Sequence, residues 1–182
     1  MSLDNSTKNM FNTKNIKISL RSEKISLNSV IEYLNKNLIV YQIKGNYIVI
    51  REKYVYIFFK LKDSLICHIN VTKIPNFESI KDSIELLQQK ILNGSDINIS
   101  EYKIDNLTAI YDAKTCIDLL RVVENARSKY RVRYNKEKFP GLFIRTDQGT
   151  FIIFHTGKVN LVGCQHPDHL PVLFKCLENI LM

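Results

Sequence analysis

Hydrophobic and polar positions follow two periods along the first half of the chain, and together they predict a mixed fold. Apolar residues at helical spacing after Ser26, the expected N-cap, predict one helix, and a second stripe predicts a helix from Phe77 to Leu92. Apolar stretches of strand length surround the first helix, and Asn93-Gly94-Ser95 ends the pattern. The predicted strands are Asn15–Leu20, Leu38–Ile43, Tyr47–Arg51, Tyr54–Phe59 and Ser64–Val71.

The second half shows the same order of elements. Helices are predicted over Thr115–Lys129 and from Asp168 onward, with Asp168 as the expected N-cap. The predicted strands are Lys103–Tyr111, Tyr130–Tyr134, Gly141–Arg145, Thr150–His155 and Val159–Cys164. We therefore expect an α+β fold with a flexible arm over residues 1–14, one repeat over 15–94 and a second over 95–182.

An ungapped alignment of Ile43–His68 with Phe139–Cys164 supports a duplication. The offset is 96 (139 − 43 = 96), and it pairs six identical residues, among them Phe58 with Phe154 and Lys62 with Lys158. Two strand-rich stretches can match by chance, but the shared order of elements favours an internal repeat.

Two predicted strands lack the alternation that a sheet with one wet face should show. Tyr54–Phe59 and Phe151–Phe154 are apolar on both faces. Since two helices in each half can cover only one face, the other is expected to meet a ligand, with Tyr56, Phe58, Ile152 and Phe154 pointing toward it. A core covered on both faces is the alternative.

Charge suggests what that ligand is. The formal net charge of +8 and the pI of about 9.3 favour a polyanionic partner, although a basic protein without one is also consistent. Phe or Ile can wedge between the base steps of a widened minor groove, while Lys and Arg bind phosphates.

Other classes of function find little support. The chain has no Gly-rich phosphate loop, nucleophile elbow or paired catalytic carboxylates, so neither catalysis nor a cofactor is predicted. Cys164, His166 and His169 resemble zinc ligands but lack a second spaced pair, so no metal site is predicted. Four cysteines without CxxC spacing and a polar N-terminal stretch predict a reducing intracellular compartment.

Several motifs in the second half resemble the TATA-box-binding protein family. Phe139-Pro-Gly-Leu-Phe-Ile-Arg145 resembles the family's Phe-Pro-Gly-Leu-x-x-Arg. Phe151-Ile-Ile-Phe-His-Thr-Gly-Lys158 and Leu161-Val-Gly163 are similar to the strand, turn and Leu-Thr-Gly that follow in the family, and Ile104-Asp-Asn-Leu107 is similar to its Ile-Gln-Asn-Ile. The resemblance covers roughly Lys14 to Met182 and is specific in the second half.

The resemblance implies a saddle: a curved antiparallel sheet with helices on its convex face, which binds and bends A/T-rich promoter DNA through the minor groove. Phe139 and Phe154 match a wedge pair at one end of the DNA site, and Phe58 matches one member of the opposite pair, whose other position holds Ile43. The expected DNA-binding set, from the predicted face and the family positions, is Asn15, Lys17, Ile43, Tyr56, Phe58, Lys62, Ile66, Asn106, Thr108, Phe139, Arg145, Ile152, Phe154, Lys158, Asn160 and Val162.

The resemblance also implies protein partners. Glu137 matches an acidic position that faces transcription factor IIB, so a factor of that kind and the RNA polymerase machinery are expected partners. The expected location is the nucleus, or the factory or virion if the protein is viral. Two alternatives remain: a platform for single-stranded nucleic acid, and a module on the same fold that binds another protein or a lipid.

Overall fold

The computed structural model describes residues 11–22, 25–60, 65–72, 77–91 and 102–182. Two compact units divide the chain. The first unit is Asn15–Asp105, and the second unit is Asn106–Met182 together with the residues before Asn15. The predicted boundaries at 14/15 and 94/95 stay predictions, and residues 92–101 lie outside the described ranges.

Five antiparallel strands form the sheet of the first unit. They are β1 (Asn12–Ser22), β2 (Tyr41–Lys44), β3 (Tyr47–Arg51), β4 (Val55–Lys60) and β5 (Leu65–Thr72), in the spatial order β2-β3-β4-β5-β1. Its helices are α1 (Leu27–Lys36) and α2 (Phe77–Leu86), the second continued by a π-helical turn, Leu87–Ile91.

The second unit has the same order of strands. They are β6 (Lys103–Asp112), β7 (Arg131–Arg133), β8 (Leu142–Arg145), β9 (Thr150–Ile153) and β10 (Lys158–Cys164), in the spatial order β6-β10-β9-β8-β7. Its helices are α3 (Leu119–Ala126) and α4 (Leu170–Leu181), the latter preceded by a 3-10 turn, Pro167–His169. The predicted α+β class and antiparallel pairing are confirmed. Among the described helices, none is both long and apolar enough to cross a membrane.

Local capping explains where two helices begin. Ser26 caps α1 as predicted, because its Oγ accepts a hydrogen bond of 3.0 Å from the backbone N–H of Ser29. Asp118 caps α3 through bonds from Leu120 and Arg121, so this helix starts later than predicted. The prediction for Asp168 is wrong: it lies inside the 3-10 turn, and α4 begins after His169 without a side-chain cap.

Each sheet buries one face against its helices. In the first unit, Tyr56 points toward α2 and donates a 3.0 Å hydrogen bond to the carbonyl of Ser83. Ile16, Ile18 and Leu20 of β1 are buried on the same side. Since side chains alternate along a strand, the remaining positions form a second face in each unit, here called the open face.

The start of β1 lies inside the segment predicted as a flexible arm. β1 begins at Asn12, and Phe11 before it is buried, with its ring centroid 5.6 Å from that of Phe174 and 6.3 Å from that of Tyr111. Residues 1–10 are outside the described part of the chain.

Candidate nucleic-acid interface

A row of side chains crosses four strands on the open face of the second unit. Phe143 lies opposite Ile152, Ile152 opposite Asn160, and Asn160 opposite Ile110. Directly opposed residues share a face of an antiparallel sheet, and all four are partly exposed. Ile152 and Asn160 therefore lie on the face predicted from the sequence. The same alternation places Thr108 and Val162 on this face.

Three phenylalanines meet beside the loop of residues 134–141, which joins β7 to β8. The ring centroid of Phe139 lies 5.2 Å from that of Phe143 and 5.9 Å from that of Phe154. Phe139 remains 39% exposed. A Cβ on Gly141 would come within 2.5 Å of Phe139 and 3.1 Å of Phe154, so the glycine allows these rings to converge. The predicted pair of Phe139 and Phe154 is thus brought together.

Arginines line the margin of the same open face. Arg131 on β7 lies directly opposite Arg145 on β8, and Arg133 lies opposite Phe143. Like charges in opposed positions destabilise a sheet. Among the described residues, no carboxylate comes within 4.0 Å of either Arg131 or Arg145. The arrangement therefore favours an anion from outside the chain.

A cavity of about 410 Å³ joins the basic margin to the phenylalanines. Its lining residues are Arg133, Asn135, Lys138, Phe139, Gly141 and Phe143. Apolar rings and cations thus line one concave surface. Lys158, at the start of β10, is exposed and lies opposite Asp112 in register.

The two asparagines of the expected DNA-binding set, Asn15 and Asn106, have different surroundings. Asn106 is oriented by the protein, because its Oδ1 accepts a 2.8 Å bond from the N–H of Gly163 and its Nδ2 donates to Thr108 Oγ1 at 3.3 Å. The Oδ1 of Asn15 is buried and has no hydrogen-bond partner in the described part of the structure. An unpaired buried polar atom is uncommon in native proteins and fits a position that a ligand completes.

The open face of the first unit carries a different aromatic arrangement. The ring of Phe59 lies 5.0 Å from that of Tyr47 and 5.0 Å from that of His68, and these three residues are here called the ring row. Register places Ile66, a predicted site residue, opposite Phe59 on this face. Each ring of the row is only partly exposed.

Charges on the first unit's open face are partly neutralised within the unit. Lys17, a predicted DNA contact, lies 3.9 Å from Asp105, which also accepts a 3.0 Å bond from Ser19. Burial, followed by the charge of Lys17, lowers the pKa of His68 and so favours its neutral form. Lys44 and Arg51 are exposed on the same face, opposite Tyr47 and Val55.

Tyr56 and Phe58 are corrections to the predicted site. They are only 1% and 0% exposed and belong to the core face, where Tyr56 bonds to Ser83. The residues of β4 on the open face are Val55, Ile57 and Phe59. A strand that is apolar on both faces does not reveal from its sequence which face is covered.

Register shows why the repeat alignment misled. Ile48 lies opposite Ile43 and Phe58, whereas its counterpart Ile144 lies opposite Val132 and Phe151. Phe58 thus corresponds to buried Phe151 with an offset of 93 (151 − 58 = 93), not to Phe154. A shift of three residues moves every side chain to the other face.

Ile43 is also wrongly placed in the predicted site. It corresponds to Val132 rather than Phe139, and its position opposite buried Ile48 puts it on the core side of the sheet. Its side chain is 64% exposed because β2 is the outermost strand of its unit.

Two further predicted site residues stay predictions. Lys62 is outside the described residues. Glu137 is exposed in the loop of residues 134–141, between Lys136 and Lys138. Its predicted contact with a protein partner stays a prediction.

Some residues of the open faces were not among the predicted site residues. Tyr47, Phe59 and His68 each lie next to a core residue along their strands, so they point to the open face. A correct assignment of which residues alternate toward the core would have identified all three. Arg131 and Arg133 were visible as an alternating pair within the basic stretch 127–138, where alternation indicates one shared face. Among the described residues, no three His, Cys, Asp or Glu side chains are grouped to hold a metal.

The second unit matches a known family in sequence, and the whole chain matches it in fold. Residues 101–182 match the family model described as Transcription factor TFIID (or TATA-binding protein, TBP). TBP from Methanococcus jannaschii superposes with a TM-score of 0.67 at 20% identity, covering 94% of this chain and 96% of that one. The second unit therefore resembles the TATA-box-binding protein family in sequence, and the chain shares the fold of TBP.

Curated members of the TATA-box-binding protein family show how distant the relationship is. The TATA-box-binding protein of Thermoplasma acidophilum is 26% identical over 107 residues, which are 56% of this chain and 57% of that protein. TATA-box-binding protein 2 of Entamoeba histolytica is 31% identical over 91 residues, 49% of this chain and 42% of that protein. The chain thus spans about half the length of the curated relatives it matches.

Proposed function

We propose that this protein is a general transcription initiation factor that binds A/T-rich promoter DNA in the minor groove and bends it. The observation that carries the proposal is the exposed cluster of Phe139, Phe143 and Phe154 beside Arg131 and Arg145. This cluster lies within the segment that matches the family model.

The chemistry of a widened minor groove suits the open face of the second unit. Such a groove exposes sugars and base edges that are largely apolar, and an apolar wedge can enter a base step and unstack it. Phe139 is the most exposed ring of the cluster, and Phe154 packs behind it. Asn106 and Thr108 add polar groups that distinguish A·T from G·C pairs, which is the main distinction the minor groove allows.

The arginine margin supplies the electrostatic part of binding. Arg131 and Arg145 repel each other until a phosphate lies between them, so their contribution should appear as salt-dependent affinity. For every phosphate that is no longer neutralised, the slope of log K against log salt should fall by about 0.9. Removal of Arg145 therefore tests the margin separately from the wedge.

We further propose a role in assembly. Bent DNA on this surface would nucleate a preinitiation complex, with Glu137 in the exposed loop facing a factor similar to transcription factor IIB and, through it, RNA polymerase. The protein acts by binding and not by catalysis, in the nucleus or in a viral factory or virion. Loss of ternary complex in Glu137→Arg, with DNA binding unchanged, would support this role.

Binding and bending are measured together. Short duplexes with an A·T or a G·C core carry dyes at both ends; anisotropy reports affinity and energy transfer reports bending. The A·T duplex should bind at least about tenfold more tightly, since each wrong base pair typically costs about 1–3 kcal/mol. Phe154→Ala should reduce bending, whereas exposed Leu120→Ala on α3 is the control. Equal affinity for both duplexes, or none for either, would refute the proposal.

One observation favours a second candidate function. The ring row of Tyr47, Phe59 and His68 resembles the aromatic platforms on which single-stranded bases stack. An unlabelled single strand that displaces the A·T duplex at equal concentration would favour this interpretation. Failure to compete would leave the duplex as the ligand.

A further inference from the structure

We infer that this protein kinks its DNA at one end only, through the second unit, and that the first unit binds without inserting a side chain. The inference rests on the proposed binding of duplex DNA. It follows from differences between the two units that the register and the loop lengths establish.

The first unit lacks the loop that carries the wedge. In the second unit, residues 134–141 join β7 to β8 and carry Phe139. In the first unit, only residues 45–46 join the corresponding strands β2 and β3, and Gly45 adopts a φ of +61° as a tight turn requires. The β2–β3 connection therefore has no position equivalent to Phe139.

The second phenylalanine of the wedge pair has no counterpart among the described residues of the first unit either. Phe58 corresponds to the buried Phe151, as the shared pairing with Ile48 and Ile144 shows. With the same offset, the position matching Phe154 is residue 61 (154 − 93 = 61), which is a leucine outside the described ranges. Neither Ile43 nor Phe58 can replace the missing pair, since both belong to the core side.

The first unit offers a level apolar surface instead. The rings of Tyr47, Phe59 and His68 pack against one another and are only partly exposed. Val49, on the same face, is buried although none of the described helices covers that side. Such a surface can contact sugars in a groove, and none of its three rings is as exposed as Phe139.

The inference predicts how bending divides between the units. Energy transfer across an A·T duplex is compared for the parent protein, the double variant Phe139→Ala/Phe154→Ala and the control Ile43→Ala. With one kink, the double variant should lose nearly all of the bending signal and Ile43→Ala none of it. With two kinks, about half of the signal should survive in the double variant, which would overturn the inference.

Anisotropy separates failure of the inference from failure of the proposed function. If the parent binds no A·T duplex, or binds it without bending, the proposed function fails; if the parent bends the duplex but keeps about half of that bending without the wedge pair, only the inference fails. Thermal unfolding of each variant verifies that it remains folded. A second test grafts residues 134–141 in place of Gly45-Asn46. The graft should increase bending, and an unchanged signal in a folded graft would count against the inference.

Discussion

Replacement of Gly157 by alanine tests the turn that positions Phe154, one of the two phenylalanines of the proposed wedge. Gly157 lies between β9 and β10, with a φ of +90°. Its N–H donates to the carbonyl of Phe154 at 3.0 Å, and the N–H of Phe154 donates to the carbonyl of Lys158 at 2.9 Å. A change at Gly157 should therefore affect both the stability of the second unit and the placement of Phe154.

The magnitude follows from two contributions. An alanine in this backbone region costs about 1–2 kcal/mol, of which the reduced entropy of the unfolded chain offsets about 0.4–1 kcal/mol. Its Cβ would also lie 2.2 Å from the carbonyl oxygen of Thr115, whereas real Cβ atoms essentially never come within 3.0 Å. The two loops must then move apart by at least about 0.8 Å (3.0 − 2.2), and such overpacking costs about 1–3 kcal/mol.

Two hydrogen bonds resist that movement. Ala113 donates to the carbonyl of Gly157 at 2.9 Å, and Ile117 donates to the carbonyl of His155 at 2.8 Å. We therefore expect the free energy of unfolding to fall by about 2–4 kcal/mol in Gly157→Ala.

Gly163→Ala is the matched control within the same unit. Gly163 has a φ of +78°, but a Cβ there would meet nothing within 4 Å, so only the backbone cost of about 1 kcal/mol applies. Urea unfolding followed by circular dichroism measures both variants. Equal losses of stability in the two would show that the approach to Thr115 does not limit the turn, and the reasoning would be refuted.

Three further predictions follow from single contacts. Gly141→Ala should displace the ring of Phe139, whose Cε1 would lie 2.5 Å from the new Cβ; DNA bending should fall while the unfolding midpoint changes little, and unchanged energy transfer would contradict this. Tyr56→Phe should lower the free energy of unfolding by about 1–2 kcal/mol, because the carbonyl of Ser83 loses its donor, and it should leave DNA affinity unchanged. A weaker DNA affinity would show that Tyr56 contacts the DNA after all. Burial lowers the pKa of His68 below its unfolded value of about 6.5, so the free energy of unfolding should fall as the pH drops from about 7.5 to 5.5. His68→Gln should remove this part of the pH dependence, which the midpoints of urea unfolding measure.

Element order and strand pairing followed from the sequence because period and turn residues are local properties. The predicted strand Tyr47–Arg51 matches β3, and Ser26 caps α1 as expected. The second unit's open face was also predicted well, since Ile152 and Asn160 alternate with residues that are clearly core. The resemblance in that half fixed the parity of its strands.

The first unit's open face could not be predicted because its strands are apolar on both sides. Tyr56 and Phe58 are as hydrophobic as Ile57 and Phe59, so composition does not determine which pair is covered. Only the pairing of β4 with β3 and β5 settles this point. The ungapped alignment concealed a difference in hairpin length. Ile48 pairs with Phe58, ten residues further on, whereas Ile144 pairs with Phe151, seven residues further on, and this difference of three reversed the assignment.

The arrangement of rings and charges differs between the two units. In the second unit, the opposed pair Arg131 and Arg145 has no carboxylate within 4.0 Å among the described residues, and the wedge ring of Phe139 is exposed beside it. In the first unit, Lys17 is paired with Asp105, and the short β2–β3 turn raises no ring above the sheet. Because bending depends on inserted rings, it should respond to variants of the second unit more than to variants of the first.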